Sequence, residues 1–184
     1  MGPFSAQHHY CSALAWRWPL AAGVVVLVNA APAPALDHWQ AIDRLRLRLS
    51  QAGVQVEQRD CGQRGLQGLY HQASDTIVIC RAHREPAAVW NTLAHEATHR
   101  MQVCRGGSIT DPRHHRAMAA AVGQRDPTDL RSLNLYPAHQ QLSELEARYT
   151  ARLAPEQVIQ LFERYCGRSL GTPTPPPFPR TAQR

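Results

Sequence analysis

The spacing of apolar residues between positions 36 and 168 predicts one helix, a few short strands and then a series of helices. The first helix begins behind Asp37, a suitable N-cap, and stops at Gly53. Its apolar residues recur at roughly helical spacing: Trp39, Ile42, Leu45 and Leu49. Residues 44–49 (RLRLRL) also alternate as a strand would, so the local pattern allows both structures.

Three short segments are typical of strands. Residues 54–57 form one strand candidate, while residues 68–71 and 76–80 flank the polar stretch 72–75 and resemble a hairpin. Short strands followed by a run of helices indicate an α+β domain. A chain of 184 residues is long enough for one such domain of ordinary size.

Prolines mark the starts of the later helices. Pro86 opens a long helix that Gly106 and Gly107 close, the expected proline-in and glycine-out arrangement. Further helices are predicted at 112–122, from Pro127 behind an Asp126 cap, at 137–153 and at 155–166 before Gly167. We place the folded domain at residues 36–168.

The two ends of the chain differ from this domain in composition. Arg17 precedes the apolar stretch 19–28, and the small residues and prolines of 29–35 offer cleavage sites after Ala33 or Ala35. This layout predicts a signal peptide at 1–35, since the apolar run is shorter than the roughly 20 residues that span a bilayer. Residues 169–184 are proline-rich and predict a flexible tail. We therefore expect an exported protein (periplasmic, extracellular or in another extracytoplasmic compartment) without stable membrane insertion after leader removal; a permanent anchor is the alternative.

The cysteine count agrees with export. Removal of a leader that contains Cys11 leaves Cys61, Cys80, Cys104 and Cys166, an even number that predicts two disulfides. Four cysteines allow three pairings, and the sequence does not select one. We favour Cys61 with Cys80, which closes the hairpin-like segment, and Cys104 with Cys166, which joins the last helix to the long one. The alternative is four buried free thiols in a cytosolic protein.

The net charge of +6 comes from 20 basic residues, all of them arginine. Arginine suits phosphate and carboxylate recognition. These arginines are scattered rather than clustered, which favours a bias in composition over a nucleic-acid interface. We expect no nucleic-acid partner and keep an arginine-rich nucleic-acid binder as a minor hypothesis.

The long helix carries His95-Glu96-Ala97-Thr98-His99. Histidines four apart differ by about 40° around a helix, so both imidazoles can reach one ion at about 2.0–2.1 Å. Glu96 lies on the flank of the same site, where it can take a proton from an activated water. The spacing is the HExxH pattern of zinc peptidases.

The apolar residues of this helix gather on another face: Val89, Trp90, Leu93, Ala97, Met101 and Cys104. This arrangement predicts that both histidines point away from the core. The alternative is a pair of histidines on a solvated face.

A third zinc ligand is expected from the helix at 137–153. Glu144 is flanked by Ala147 and Ala151, whose small side chains let this helix approach closely. Glu146 lies instead at the edge of an apolar stripe. We favour Glu144 over Glu146 as the ligand. The alternative is that both glutamates are surface charges that pair with arginines.

These residues resemble the zincin metallopeptidases, specifically the gluzincin type in which a downstream glutamate completes HExxH. The run Glu144-x-x-Ala147 is similar to the third-ligand pattern of prenyl-protease-like and ImmA/IrrE-like peptidases, and the whole is similar to small exported bacterial, particularly cyanobacterial, proteins. The resemblance covers about residues 92–151. It implies a minimal zincin fold, in which a small sheet packs on the HExxH helix and C-terminal helices follow. The chain lacks the extended substrate domain of the larger families, so their substrates do not transfer.

The resulting expectation is an exported Zn²⁺-dependent peptidase acting on a peptide or protein substrate. His95, His99 and Glu144 would hold the ion, and Glu96 would be the general base. Tyr136 and His139 are candidates for stabilising the oxyanion, with ordinary structural and surface roles as their alternative. The competing hypothesis is a non-catalytic zinc-stabilised binding module with the same metal site.

Overall fold

The computed structural model describes residues 35–82 and 84–167. The predicted leader, except its last residue, and the predicted tail lie outside these residues. Within the described part of the chain, no helix is both long enough and apolar enough to cross a membrane.

The described residues contain six α-helices and three β-strands. They also contain two short 3₁₀ helices, at Gln72–Ser74 and Leu133–Leu135. In chain order they are α1 (His38–Gln51), β1 (Gln55–Arg59), β2 (Gly68–His71), β3 (Thr76–Cys80), α2 (Pro86–Arg105), α3 (Pro112–Arg125), α4 (Pro127–Ser132), α5 (Ala138–Thr150) and α6 (Pro155–Cys166). The predicted α+β class is confirmed.

The first helix forms, and the strand-like alternation within it does not decide its structure. Asp37 and Gln40 cap α1 reciprocally, since Gln40 N donates to Asp37 Oδ1 at 2.8 Å and Asp37 N donates to Gln40 Oε1 at 3.3 Å. Leu45 and Leu49 are fully buried, whereas Leu47 between them is 55% exposed. Burial therefore follows the helical period. Trp39 departs from the predicted apolar stripe, because its side chain is 54% exposed.

The sheet has the strand order β1-β3-β2, with β1 parallel and β2 antiparallel to β3. The predicted hairpin of β2 and β3 is confirmed. All five residues of β3 are buried, because this strand is the central one and its faces are covered. Strand β1 begins one residue later than predicted, at Gln55, and continues to Arg59. Strand β2 is left at an edge of the sheet, beside α2.

Helix α2 lies at the centre of the domain and packs against α1, α5, α6 and the sheet. Its predicted apolar stripe is buried as expected at Val89, Trp90, Leu93, Ala97 and Met101, while Cys104 is partly buried. Proline at its first turn and Gly106 at its end, with φ of 80°, confirm the predicted boundaries. A second, smaller apolar cluster joins α3 to α5 through Met118, Val122, Leu133 and Leu145.

Two disulfides connect the pairs that we favour. Cys61–Cys80 links the segment after β1 to the end of β3, and Cys104–Cys166 links the end of α2 to the end of α6. Both pairs have Cα atoms 5.4 Å apart, within the usual range for a disulfide. Two disulfides are compatible with an extracytoplasmic location.

Candidate metal centre

Helix α2 presents His95 and His99 on the side away from its apolar stripe. The two rings lie edge to face with centroids 4.9 Å apart, and their Nε2 atoms are 3.2 Å apart. The side chains are 21% and 19% exposed, so the pair is neither in the core nor on an open surface. Their i, i+4 spacing thus brings two imidazole nitrogens to one point, as the sequence predicts.

Helix α5 brings Glu144 to the same point. Its Oε2 lies 3.5 Å from His95 Nε2 and its Oε1 lies 3.4 Å from His99 Nε2. Ala147 of this helix and Ala151 directly after it are both buried. Small residues at these positions allow the close approach of α5 to α2 that a short carboxylate side chain requires.

Glu146 has a different position and a different set of contacts. Its carboxylate is fully buried and accepts hydrogen bonds from Ser108, Ile109 and Thr110, which follow the end of α2, and from Gln102 Nε2 at 2.9 Å. Burial alone would raise the pKa of Glu146, but these hydrogen bonds lower it below its ordinary value. Glu146 therefore fixes the loop after α2 and does not face the histidines.

Gln102 and Ser143 determine how the His99 ring is protonated, and sequence reasoning missed both. Gln102 Nε2 donates to Ser143 O and to Glu146, so its Oε1 must face the other way, where it accepts from Ser143 Oγ at 2.6 Å. The same Oε1 lies 2.9 Å from His99 Nδ1 and can accept only a proton on that nitrogen. In the neutral ring Nε2 is then the nitrogen without a proton, and it faces Glu144. Burial lowers the pKa of His99, but its contacts with Glu144 and Gln102 outweigh burial and raise that pKa above the ordinary value. The i, i+3 spacing from His99 to Gln102 could have indicated this contact. No spacing in the sequence indicates the contacts of Glu146.

The three side chains together form an arrangement that suits a cation. His95, His99 and Glu144 offer ligand atoms that all lie within 4.8 Å of one another. Glu144 Oε2 is buried and has no hydrogen-bond partner, which is costly unless another group compensates it. Burial raises the pKa of Glu144, but its contacts with His95 and His99 reverse that effect and hold the pKa well below its usual range. Two imidazoles and one carboxylate are a donor set that zinc accepts.

Glu96 lies beside this group, buried under strand β2. Burial raises its pKa above the ordinary value, although the two neighbouring histidines oppose the shift. Gly68 of β2 is packed against it: a Cβ at position 68 would lie 2.5 Å from Thr92 Cγ2 and 3.0 Å from Glu96 Oε1. The strand can therefore approach α2 this closely only because residue 68 is glycine. No feature of the sequence indicates this contact.

A cleft of about 370 Å³ opens next to the site. Its lining includes His95, Glu96 and Gly68. It also includes residues from α4, from α5 and from the segments that follow these two helices: Asp129, Ser132, Tyr136, Arg148 and Arg152. Of the two candidates for oxyanion stabilisation, Tyr136 lines the cleft. His139 is exposed and is not among the residues that line it, so it is not placed to act there.

Comparison of the chain with protein-family models, with curated proteins and with solved structures finds no match.

Proposed function

We propose that this protein is a zinc-dependent peptidase, with His95, His99 and Glu144 holding the ion and Glu96 acting as general base. The observation that carries the proposal is the convergence of two imidazoles and a buried, unpartnered carboxylate oxygen beside a cleft that Glu96 also lines. A small mixed sheet over the HExxH helix, with a later helix supplying the glutamate, also supports a minimal zincin fold of the gluzincin type.

A zinc ion in such a site lowers the pKa of a bound water toward about 7 and polarises a peptide carbonyl. Glu96 would accept the proton of the attacking water and return it to the amine as the C–N bond breaks. Its burial favours this role, since a carboxylate with a raised pKa is a stronger base once ionised. Tyr136 is the candidate for stabilising the carbonyl oxygen, because it is among the residues that line the cleft.

The surroundings of the cleft suit an extended peptide. Strand β2 is an edge strand whose first residue, Gly68, lines the cleft next to Glu96. An exposed edge offers backbone groups with which another extended chain can pair. A peptide or protein substrate lying along this edge would pass the proposed metal and base. The two disulfides support the further proposal that the protein acts after export.

The test separates metal binding from catalysis. Purified protein should hold one zinc per chain and hydrolyse a denatured protein substrate in a chelator-sensitive reaction. We expect Glu96→Gln to keep the zinc and lose hydrolysis by at least about a hundredfold, while Glu144→Gln loses the zinc. Glu57→Gln, which changes an exposed glutamate of β1, is the matched control and should behave as the parent. If Glu96→Gln cleaves as fast as the parent, the assignment of the base is wrong.

The same experiment distinguishes the peptidase from the non-catalytic zinc-stabilised binding module. Both proposals require zinc, so metal content does not separate them. Structural zinc sites usually have four protein ligands, whereas catalytic sites have three and leave one position open. The candidate group in the described part of the chain has three members, and one of them, His95, lines a cleft, which favours the peptidase. Zinc binding without any chelator-sensitive hydrolysis would favour the binding module.

A further inference from the structure

Two arginines line the cleft together with Gly68, and they follow the proposed zinc ligand along the chain. Glu144, Arg148 and Arg152 follow one another at intervals of four residues along α5 and its C-terminal end. Each interval advances about 6 Å along a helix axis. Arg148 is thus about one turn, and Arg152 about two turns, from the carboxylate that faces the histidines.

These two arginines share a single acidic partner. Asp129 of α4 contacts Arg148 Nη1 through Oδ1, at 2.9 Å, and Arg152 Nη2 through Oδ2. The arginine side chains are only 10% and 19% exposed. Two guanidinium groups and one carboxylate leave one positive charge uncompensated within this cluster, in a partly desolvated position where an anionic ligand would be attracted strongly.

Arg148 is also held in a fixed orientation. Its Nη1 donates to Asp129 O and to Ser132 Oγ at 2.7 Å, and its guanidinium lies over the Tyr136 ring at 5.5 Å from the centroid. Within the described residues, all its hydrogen bonds leave from Nη1. Nε and Nη2 of Arg148 are not buried, and Arg148 is one of the residues that line the cleft.

We propose that Arg148 and Arg152 form a subsite that binds a carboxylate of the peptide substrate; this inference rests on the proposed peptidase function. A preoriented guanidinium binds a carboxylate by paired, charge-assisted hydrogen bonds. Side chains on one face of an extended peptide are about 7 Å apart, close to the spacing of Glu144 and Arg148 along α5. The carboxylate would belong to an Asp or Glu side chain near the cleaved bond, or to the C-terminus of the substrate.

The experiment measures binding rather than turnover. Zinc-loaded Glu96→Gln protein is titrated with four fluorescent pools of otherwise uncharged random heptapeptides: a central Glu or Gln, each with a free or an amidated C-terminus. We expect at least about tenfold tighter binding for one class of carboxylate over the fully neutral pool. Preference for the central Glu identifies a side-chain carboxylate, and preference for the free C-terminus identifies the terminal one.

Arg148→Gln and Arg152→Gln, each added to this protein, should reduce the preference to less than about threefold. Arg131→Gln removes an exposed arginine of α4 and should leave the preference unchanged. The preference is a ratio within one variant, so a partly unfolded sample does not mimic the result. Equal affinity for all four pools, or a preference that survives Arg148→Gln, overturns the subsite. Failure of the parent protein to hydrolyse any substrate would instead overturn the peptidase proposal and leave this binding result readable by itself.

Discussion

The two glutamates of α5 that stand two residues apart should respond in opposite ways to the same substitution. Glu146→Gln is expected to destabilise the metal-free protein and to leave the three proposed zinc ligands in place. Glu144→Gln is expected to change the stability of the metal-free protein by less than half as much, and to abolish zinc binding. The reason is that Glu146 has hydrogen-bond donors on both oxygens, whereas Glu144 Oε2 has none.

The size of the Glu146 effect follows from its contacts. Oε1 accepts from Ser108 Oγ, Thr110 N and Thr110 Oγ1, and Oε2 accepts from Gln102 Nε2 and Ile109 N. Glutamine can keep an oxygen at the first position, but its amide then turns toward two donors. Each charge-assisted hydrogen bond contributes about 1.5–3 kcal/mol. We expect a loss of about 3–5 kcal/mol, in the range for breaking a buried ionic network.

The assay is thermal and urea unfolding in the presence of a chelator, which keeps zinc from contributing. At about 3–4 °C per kcal/mol for a domain of this size, Glu146→Gln should lower Tm by about 10–20 °C. The pH dependence adds a second check. The pKa of Glu146 is lowered in the folded state from its ordinary value of 4.5, so its contribution is complete above about pH 4.5. That contribution is lost as the pH falls through the folded-state pKa, and parent and variant should then converge in stability.

Two outcomes would refute this reasoning. A Glu146→Gln protein within about 1 kcal/mol of the parent at pH 7 would show that the loop after α2 does not depend on this carboxylate. The second outcome is that Glu146→Gln loses zinc while Glu144→Gln retains it. Glu146 would then be the ligand in place of Glu144, and the proposed ligand set would be wrong.

Two further substitutions test the surroundings of the site. Gln102→Leu removes the acceptor that holds the His99 tautomer and should weaken zinc binding by about 10–100-fold in a chelator competition titration; unchanged affinity would contradict the assigned tautomer. Gly68→Ala places a methyl group 2.5 Å from Thr92 Cγ2 and should cost about 1–3 kcal/mol in urea unfolding. Gly167→Ala is its control, because the nearest atom there is 3.9 Å away and the residue has an ordinary φ of −65°; equal effects at both positions would show that the approach of β2 to α2 is not tight.

The local parts of the fold are largely predictable from the sequence. Helix α2 begins at Pro86 and ends just before Gly106, and α4 begins behind the Asp126 cap, because these residues act on the backbone within one turn. The structure of residues 44–49, whose pattern fits both a helix and a strand, could not be predicted from local information alone. Their helical structure follows from which leucines the core can bury, and Trp39 shows that an apolar residue with suitable spacing can still remain exposed.

The pairing of distant segments was predictable only where short connections constrain it. The hairpin of β2 and β3 is joined by a few polar residues, so its antiparallel pairing could be predicted. The parallel pairing of β1 with β3 could not, because nothing in five residues of β1 specifies its partner. The two cysteine pairs that we favour are present, but the sequence alone could not select them. Each pair joins two elements, and their proximity had first to be assumed.

By itself, the sequence determined the pair of imidazoles and the adjacent Glu96, since a single helix fixes their spacing through its own geometry. Only the tertiary structure decided that Glu144 rather than Glu146 lies against that pair, that Gln102 orients His99, and that Asp129 gathers Arg148 and Arg152 beside the cleft. Each of these contacts crosses between elements, and its distance depends on how closely the helices pack. Side-chain volume and burial across the whole core set that packing, and no local pattern specifies them.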